Sequence, residues 1–236
     1  MTEQEWLNEQ RRSQMMMFAL LRLGKVQRTK AGKRKLRLFA CGCCRQVWEF
    51  LTDPSLREAV NVAEQFAEGQ AGKVELQAAF RSAMRFTTGG YLPDAPGVRE
   101  RTAAHMAASA ATARAISAAF DMTALPLPLA GHHVENMEGD ALLCHLLRCV
   151  FGNPFACVAV DPVWRRWHDR TIPHLAQAIY DERLLPSGHL DCTRLAVLAD
   201  ALEEAGCAEA AILDHLRGLG LHVRGCWVLD RLLEKE

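Results

Sequence analysis

The chain has 236 residues, half of them hydrophobic and 24% charged, with 28 Lys and Arg balanced by 28 Asp and Glu. This length can bury one large core or two small ones. Zero net charge excludes nucleic-acid or membrane binding through the field of the whole chain, so any such binding must be local.

The nine cysteines, at 41, 43, 44, 144, 149, 157, 192, 207 and 226, are odd in number and mostly sit inside helical patterns. That argues against a secreted disulfide framework and for reduced thiols in a cytoplasmic protein. The first residues are acidic and lack the basic-then-apolar pattern of a secretory leader. The apolar run Met15 to Leu21 ends at Arg22, too short to span a bilayer.

In chain order, the pattern predicts a first helix from about Glu3 to Leu23, then a basic link from Lys25 to Arg34. In the segment after it, Leu36, Phe39, Ala40, Cys43, Cys44, Val47, Trp48 and Leu51 recur at helical spacing and form one apolar stripe. Asp53-Pro54 marks a helix start, with Asp as N-cap and Pro at the first helical position. Helices follow to Gly69 and over about 74–86. A Pro/Gly-rich link, 92–97, precedes an alanine-rich helix expected over 98–120.

Leu125-Pro-Leu-Pro-Leu-Ala-Gly131 breaks the helical pattern and is the best boundary. The division is then 1–124, a linker over 125–137, and 138–236, with both halves packed as one unit. A helix over about 138–151 ends at the turn Gly152-Asn-Pro-Phe155. An irregular stretch, 156–171, carries Trp164 and Trp167. Helices at about 172–183, 192–205, 208–217 and 225–235 complete the chain, with Gly206 and Gly218 as stops. No strand pattern alternates convincingly. The expected fold is an all-α bundle of eight to ten helices.

Four phrases stand together in this order: KLRLFACGCCR at 35–45, LLRCVFGNPF at 146–155, LADALEEAGC at 198–207 and HVRGCWVLD at 222–230. Together they resemble a large paralogous family of uncharacterised proteins from planctomycete bacteria. The segment Leu195 to Leu216 is also similar to the short helical repeat-companion domain, which occurs beside repeat and signalling domains. The resemblance implies an interaction role and brings no catalytic residues with it. Cys149 stands where that family commonly has an acidic residue.

Several groups of residues carry chemistry by type and spacing. Cys41 and Cys44, three apart on a helix, present thiols to one face, and His222 with Cys226 supplies a second pair. A zinc site of Cys41, Cys44, His222 and Cys226 would tie the two halves together. The plainer reading has these cysteines filling core volume, with no cofactor, and a redox dithiol is a third. Arg28, Lys30, Lys33, Arg34, Lys35 and Arg37 form a basic run without an acidic residue, suited to phosphates or nucleic acid. Against that stand the missing aromatics and recognition helix, which favour a solvated loop.

His132 or His133, Glu135 and His145 could meet a transition metal, though an ordinary exposed loop is simpler. Asp200, Glu203, Glu204 and Asp214, beside His215, read as a solvated helix face before a cation or acid/base site. No Walker, nucleophile-elbow, zincin or dinucleotide motif occurs. The sequence therefore points to a non-enzymatic helical adaptor that binds a protein partner. Nucleic-acid or phosphate binding and a zinc- or thiol-dependent role are the alternatives.

Overall fold

The structure is a computed structural model describing residues 1–23, 26–87, 97–124, 137–156, 158–218 and 220–235. The 92–97 link, Cys157 and the loop holding His132, His133 and Glu135 lie wholly or largely outside these residues. Among the described residues the fold is all-α: thirteen α-helices, one 3-10 turn and no strand.

The helices are α1 (Glu3–Asn8), α2 (Ser13–Arg22), α3 (Lys30–Gln46), α4 (Pro54–Ala67), α5 (Lys73–Met84), α6 (Val98–Ala110) and α7 (Ala115–Ala124). They continue with α8 (Met137–Phe151), α9 (Pro162–Arg166), α10 (Thr171–Asp181), α11 (Cys192–Glu204), α12 (Ala210–Arg217) and α13 (Trp227–Leu232). The count exceeds the expected eight to ten because two long helical patterns are interrupted and one short helix was not foreseen.

The axis of the molecule is α3. Every residue from Lys35 to Arg45 is buried, enclosed by α4, α6, α7 and α8. Leu36, Phe39, Cys43 and Cys44 carry the predicted stripe. Leu38, Cys41 and Gly42 are buried as well, so the helix is apolar or small nearly all round, as a central helix must be. Its cations are therefore drawn inside, where each needs a partner. Arg34 donates to both oxygens of Asp230 at 2.6 and 3.1 Å and to Glu68 at 2.7 Å. Arg45 and Arg183 both fork onto Glu64. Lys35 lies 3.9 Å from Asp230. Burial pushes the Asp230 carboxyl up, and Arg34 only partly offsets it.

The alanine-rich pattern splits into α6 and α7 because Arg37, buried on α3, donates to the carbonyls of Ala110 at 2.6 Å and Ala113 at 3.5 Å. Carbonyls that would continue the helix ladder serve a guanidinium instead. The first helix divides for a similar reason. The Glu9 carboxylate accepts from the backbone N–H of Gln10 and Arg11 and from Arg12 Nε, closing a turn between α1 and α2.

These N-terminal helices rest on α8. Trp6 Nε1 donates to Gly152 O at 3.0 Å, Arg148 donates to the carbonyls of Trp6 and Glu9, and Ser13 bonds Asp140. Gly152 has φ +66, and a Cβ there would meet the Trp227 ring at 3.0 Å. Only glycine permits both the turn and that contact. Trp6→Phe removes the donor to this carbonyl and, with one ring fewer, leaves some space at a fully buried position. We expect a loss of about 1–2 kcal/mol with unchanged helix content, measured by denaturant unfolding followed by circular dichroism.

Candidate metal centre

Four metal-capable side chains from three parts of the chain converge behind α8. Cys149 stands in the last turn of α8 and His215 in the last turn of α12. His222 and Cys226 lie on the connection into α13, Cys226 as its N-cap. One ligand atom from each lies within 4.8 Å of every other. Cys149, His222 and Cys226 are buried, and His215 is half-buried.

The connection is held from outside by backbone bonds. Leu190 N–H donates to His222 O at 2.8 Å, and Gly225 N–H donates to the Tyr180 hydroxyl at 2.6 Å. Gly225, at φ +95, lets this turn sit on Leu38 of α3, whose side chain would lie 3.1 Å from a Cβ. Gly42 of α3 likewise faces the Val223 side chain. Small residues on the axis helix thus admit the segment that carries two of the four ligands.

Within the cluster, His215 Nε2 lies 3.3 Å from Cys226 Sγ. The two imidazoles meet edge to face, with centroids 4.7 Å apart, and His215 also leans on Trp227. Val223 N–H donates to Cys149 Sγ at 3.5 Å, a contact that suits a sulfur carrying negative charge. His222 Nε2 sits 3.4 Å from Gly218 O, while its Nδ1 is buried without a hydrogen-bond partner.

With the proton on Nε2, the Nδ1 lone pair is free. A histidine metal ligand is commonly arranged this way, its other nitrogen donating to a backbone carbonyl. Left empty-handed, a buried nitrogen costs about 1–3 kcal/mol. Tetrahedral zinc, with Zn–S near 2.3 Å and Zn–N near 2.0–2.1 Å, spaces its ligand atoms roughly 3.3–3.8 Å apart. His215 Nε2 and Cys226 Sγ already stand at that spacing, and the other ligand atoms, all within 4.8 Å of one another, would have to draw closer.

The protonation pattern is lopsided. Burial alone would raise the Cys226 thiol, but the Cys149 hydrogen bond and the two histidines hold it well below the ordinary value. Cys149 is pushed well up, first by its bond to Cys226 and then by burial. Burial would lower His222, yet the neighbouring Cys226 sulfur raises it. A dication bound among these groups would require both sulfurs deprotonated.

Of the site expected from sequence, the structure brings together His222 and Cys226, with Cys149 and His215 in place of Cys41 and Cys44. Cys41 turns toward α4, its Sγ 3.9 Å from Val60 O. Cys43 and Cys44 are fully buried, and burial pushes all three thiols up, as packing residues.

In the basic run, Arg34, Lys35 and Arg37 are committed inside the fold, whereas Arg28, Lys30 and Lys33 are exposed. Asp200 and Glu203 are exposed and clamp Arg217. His145, on α8, is lowered by burial and by Arg148 and His222, and is not one of the four.

An all-α body with a closed Cys2His2 cluster is the class of protein these observations define. The chain matches no protein-family model, no curated protein and no solved structure. Among the described residues, no helix is long and apolar enough to cross a membrane.

Proposed function

We propose that this chain is a non-enzymatic helical module that binds a protein partner, and that one structural zinc ion on Cys149, His215, His222 and Cys226 closes its C-terminal third. The observation that carries the zinc reading is the convergence of one ligand atom from each of four side chains, three of them buried, beside a His222 Nδ1 that has no hydrogen-bond partner. Two thiols and two imidazoles, with no carboxylate among them, suit zinc better than the hard cations. Four protein ligands leave no open position for a substrate, so the ion serves architecture. It links α12, whose main neighbours are α11 and α13, to α8 and through it to the rest of the body.

The interaction half of the reading draws on the likeness of Leu195–Leu216 to the repeat-companion domain. It also draws on apolar side chains left outside, such as Leu7, Met15 and Phe18 on α1 and α2.

The test is elemental analysis of protein purified from cells given no extra metal. About one zinc per chain is expected, and cobalt exchanged into the site should show the visible absorption of a tetrahedral thiolate complex. Metal-free protein whose melting ignores chelator refutes the zinc reading. A tagged chain that retains no protein from native lysate refutes the interaction reading.

A further inference from the structure

A cavity of about 760 Å³ opens between the N-terminal turns of α3, the end of α4, the start of α5 and the α6–α7 junction. Six of its lining residues are cations: Lys30, Lys33, Arg34 and Arg37 from α3, Lys73 from α5, and Arg114 from the junction. None of the described lining residues is acidic.

Some surface arginines outside the cavity are neutralised by carboxylates, as Arg194 is by Glu182 and Arg217 by Asp200. The chain carries as many acids as bases, yet Lys30, Lys33, Lys73 and Arg114 stand exposed around one opening with no carboxylate partner among the described residues. Beneath them Arg37 is 2% exposed and bonds only carbonyls, its guanidinium over the Phe66 ring at 5.1 Å. A buried cation without a counter-charge is costly, and a bound anion would supply one. Lys30 and Lys33 also stand on the first turn of α3, where the helix dipole favours negative charge.

Between the cations the wall is apolar, with half-buried Phe66 and Ile116 and the alanines beside them. The volume lies within the range of small-molecule sites, about 300–1,000 Å³. We propose that this cavity binds a phosphorylated small molecule with an aromatic or apolar body. The phosphates lie among Lys33, Lys73 and Arg114, and the body lies against Phe66 and Ile116. The assignment is independent of the zinc reading. Its lysines and arginine come from segments far apart in the chain, which a run of neighbouring charges could not reveal.

The test is calorimetric titration of the full chain with three probes: ADP, inorganic pyrophosphate and a short single-stranded DNA. ADP is expected to bind one per chain, more weakly as salt rises. The triple variant Lys33→Gln, Lys73→Gln, Arg114→Gln should lose roughly tenfold or more in affinity. Its melting temperature should hold, because all three residues are exposed and without partners. No ADP binding, or equal affinity in the triple variant, overturns the proposal. Pyrophosphate binding as tightly as ADP overturns the role of the apolar wall. DNA binding tighter than ADP replaces a small-ligand cavity with a polymer-binding surface.

Discussion

Serine at both Cys149 and Cys226 is expected to abolish metal binding and to lower stability by about 4 kcal/mol when free zinc is a thousand times its dissociation constant. In a chain of this size each kcal/mol moves the melting temperature by roughly 2–4 °C, so the fall should be roughly 8–16 °C. The loss arises because the hydroxyl is a poor zinc ligand and because His215 and His222 then face each other without the ion. Stripping wild type with chelator should give a similar fall, and zinc should restore wild type but not the variant.

Two controls separate this site from the cysteine helix. Cys192, exposed at the start of α11, should tolerate serine with metal and melting unchanged. Alanine at both Cys41 and Cys44 should destabilise by opening space in the core, yet leave one zinc bound. Loss of zinc in that variant would place the ligands on α3 and sink the set assigned here.

Glu64→Gln is expected to destabilise the fold by about 3–5 kcal/mol, the scale for breaking a buried ion pair by removing one partner. Glu64 is 4% exposed and receives four hydrogen bonds, from Arg45 Nε and NH2 and from Arg183 NH1 and NH2, at 2.6–3.0 Å. Glutamine keeps the shape but removes the charge, and its amide turns a donor toward two guanidinium groups. Arg45 also holds Asn61 Oδ1 and Pro186 O and lies over the Trp48 ring at 4.3 Å. The damage should therefore spread to the loop after α10.

The same pair has a pH signature. Burial would raise the Glu64 carboxyl, but the bonds and charges of Arg183 and Arg45 hold it below the ordinary value of 4.5. With the folded value lowered, its contribution is fully present above the unfolded value and disappears as pH falls through the folded one. Thermal melts of wild type should therefore steepen in acid below about pH 4.5, and Glu64→Gln should remove part of that slope. Parallel acid limbs would show that Glu64 is not an ionised anchor.

The all-α class was legible because few stretches alternate and most apolar residues recur at helical spacing. Asp53-Pro54 was read correctly as a helix start, and Asp53 caps Ser55 N–H in the structure. Asp161-Pro162 carries the same signal and opens α9, but the surrounding segment reads as irregular because its helix is only one turn long. The break after Ala110 was not legible, since it depends on a side chain whose effect is tertiary, whereas the break after Asn8 rests on local bonds of Glu9 that helical periodicity masks. Arg37 lies 73 residues before the Ala110 carbonyl it takes.

The metal-capable residues divide in the same way. His222 and Cys226 sit four apart beside Gly225, a local signal, whereas Cys149 lies 73 positions before His222, across helix and loop. His215 was visible, but in the company of acids that turn out to serve Arg217. Three potential ligands within twelve residues, His215, His222 and Cys226, were the cue that spacing offered. On α3, a cysteine pair three apart describes a helix face and says nothing of what that face meets.

The ion pair between Arg34 and Asp230 has a consequence for biosynthesis. The partners are separated by 196 positions, and a ribosome adding 5–20 residues per second needs roughly 10–40 s to deliver the second after the first. During that interval Glu68 and Glu64, made soon after α3, can already pair with Arg34 and Arg45, whereas the second partner of Arg34 arrives only with α13.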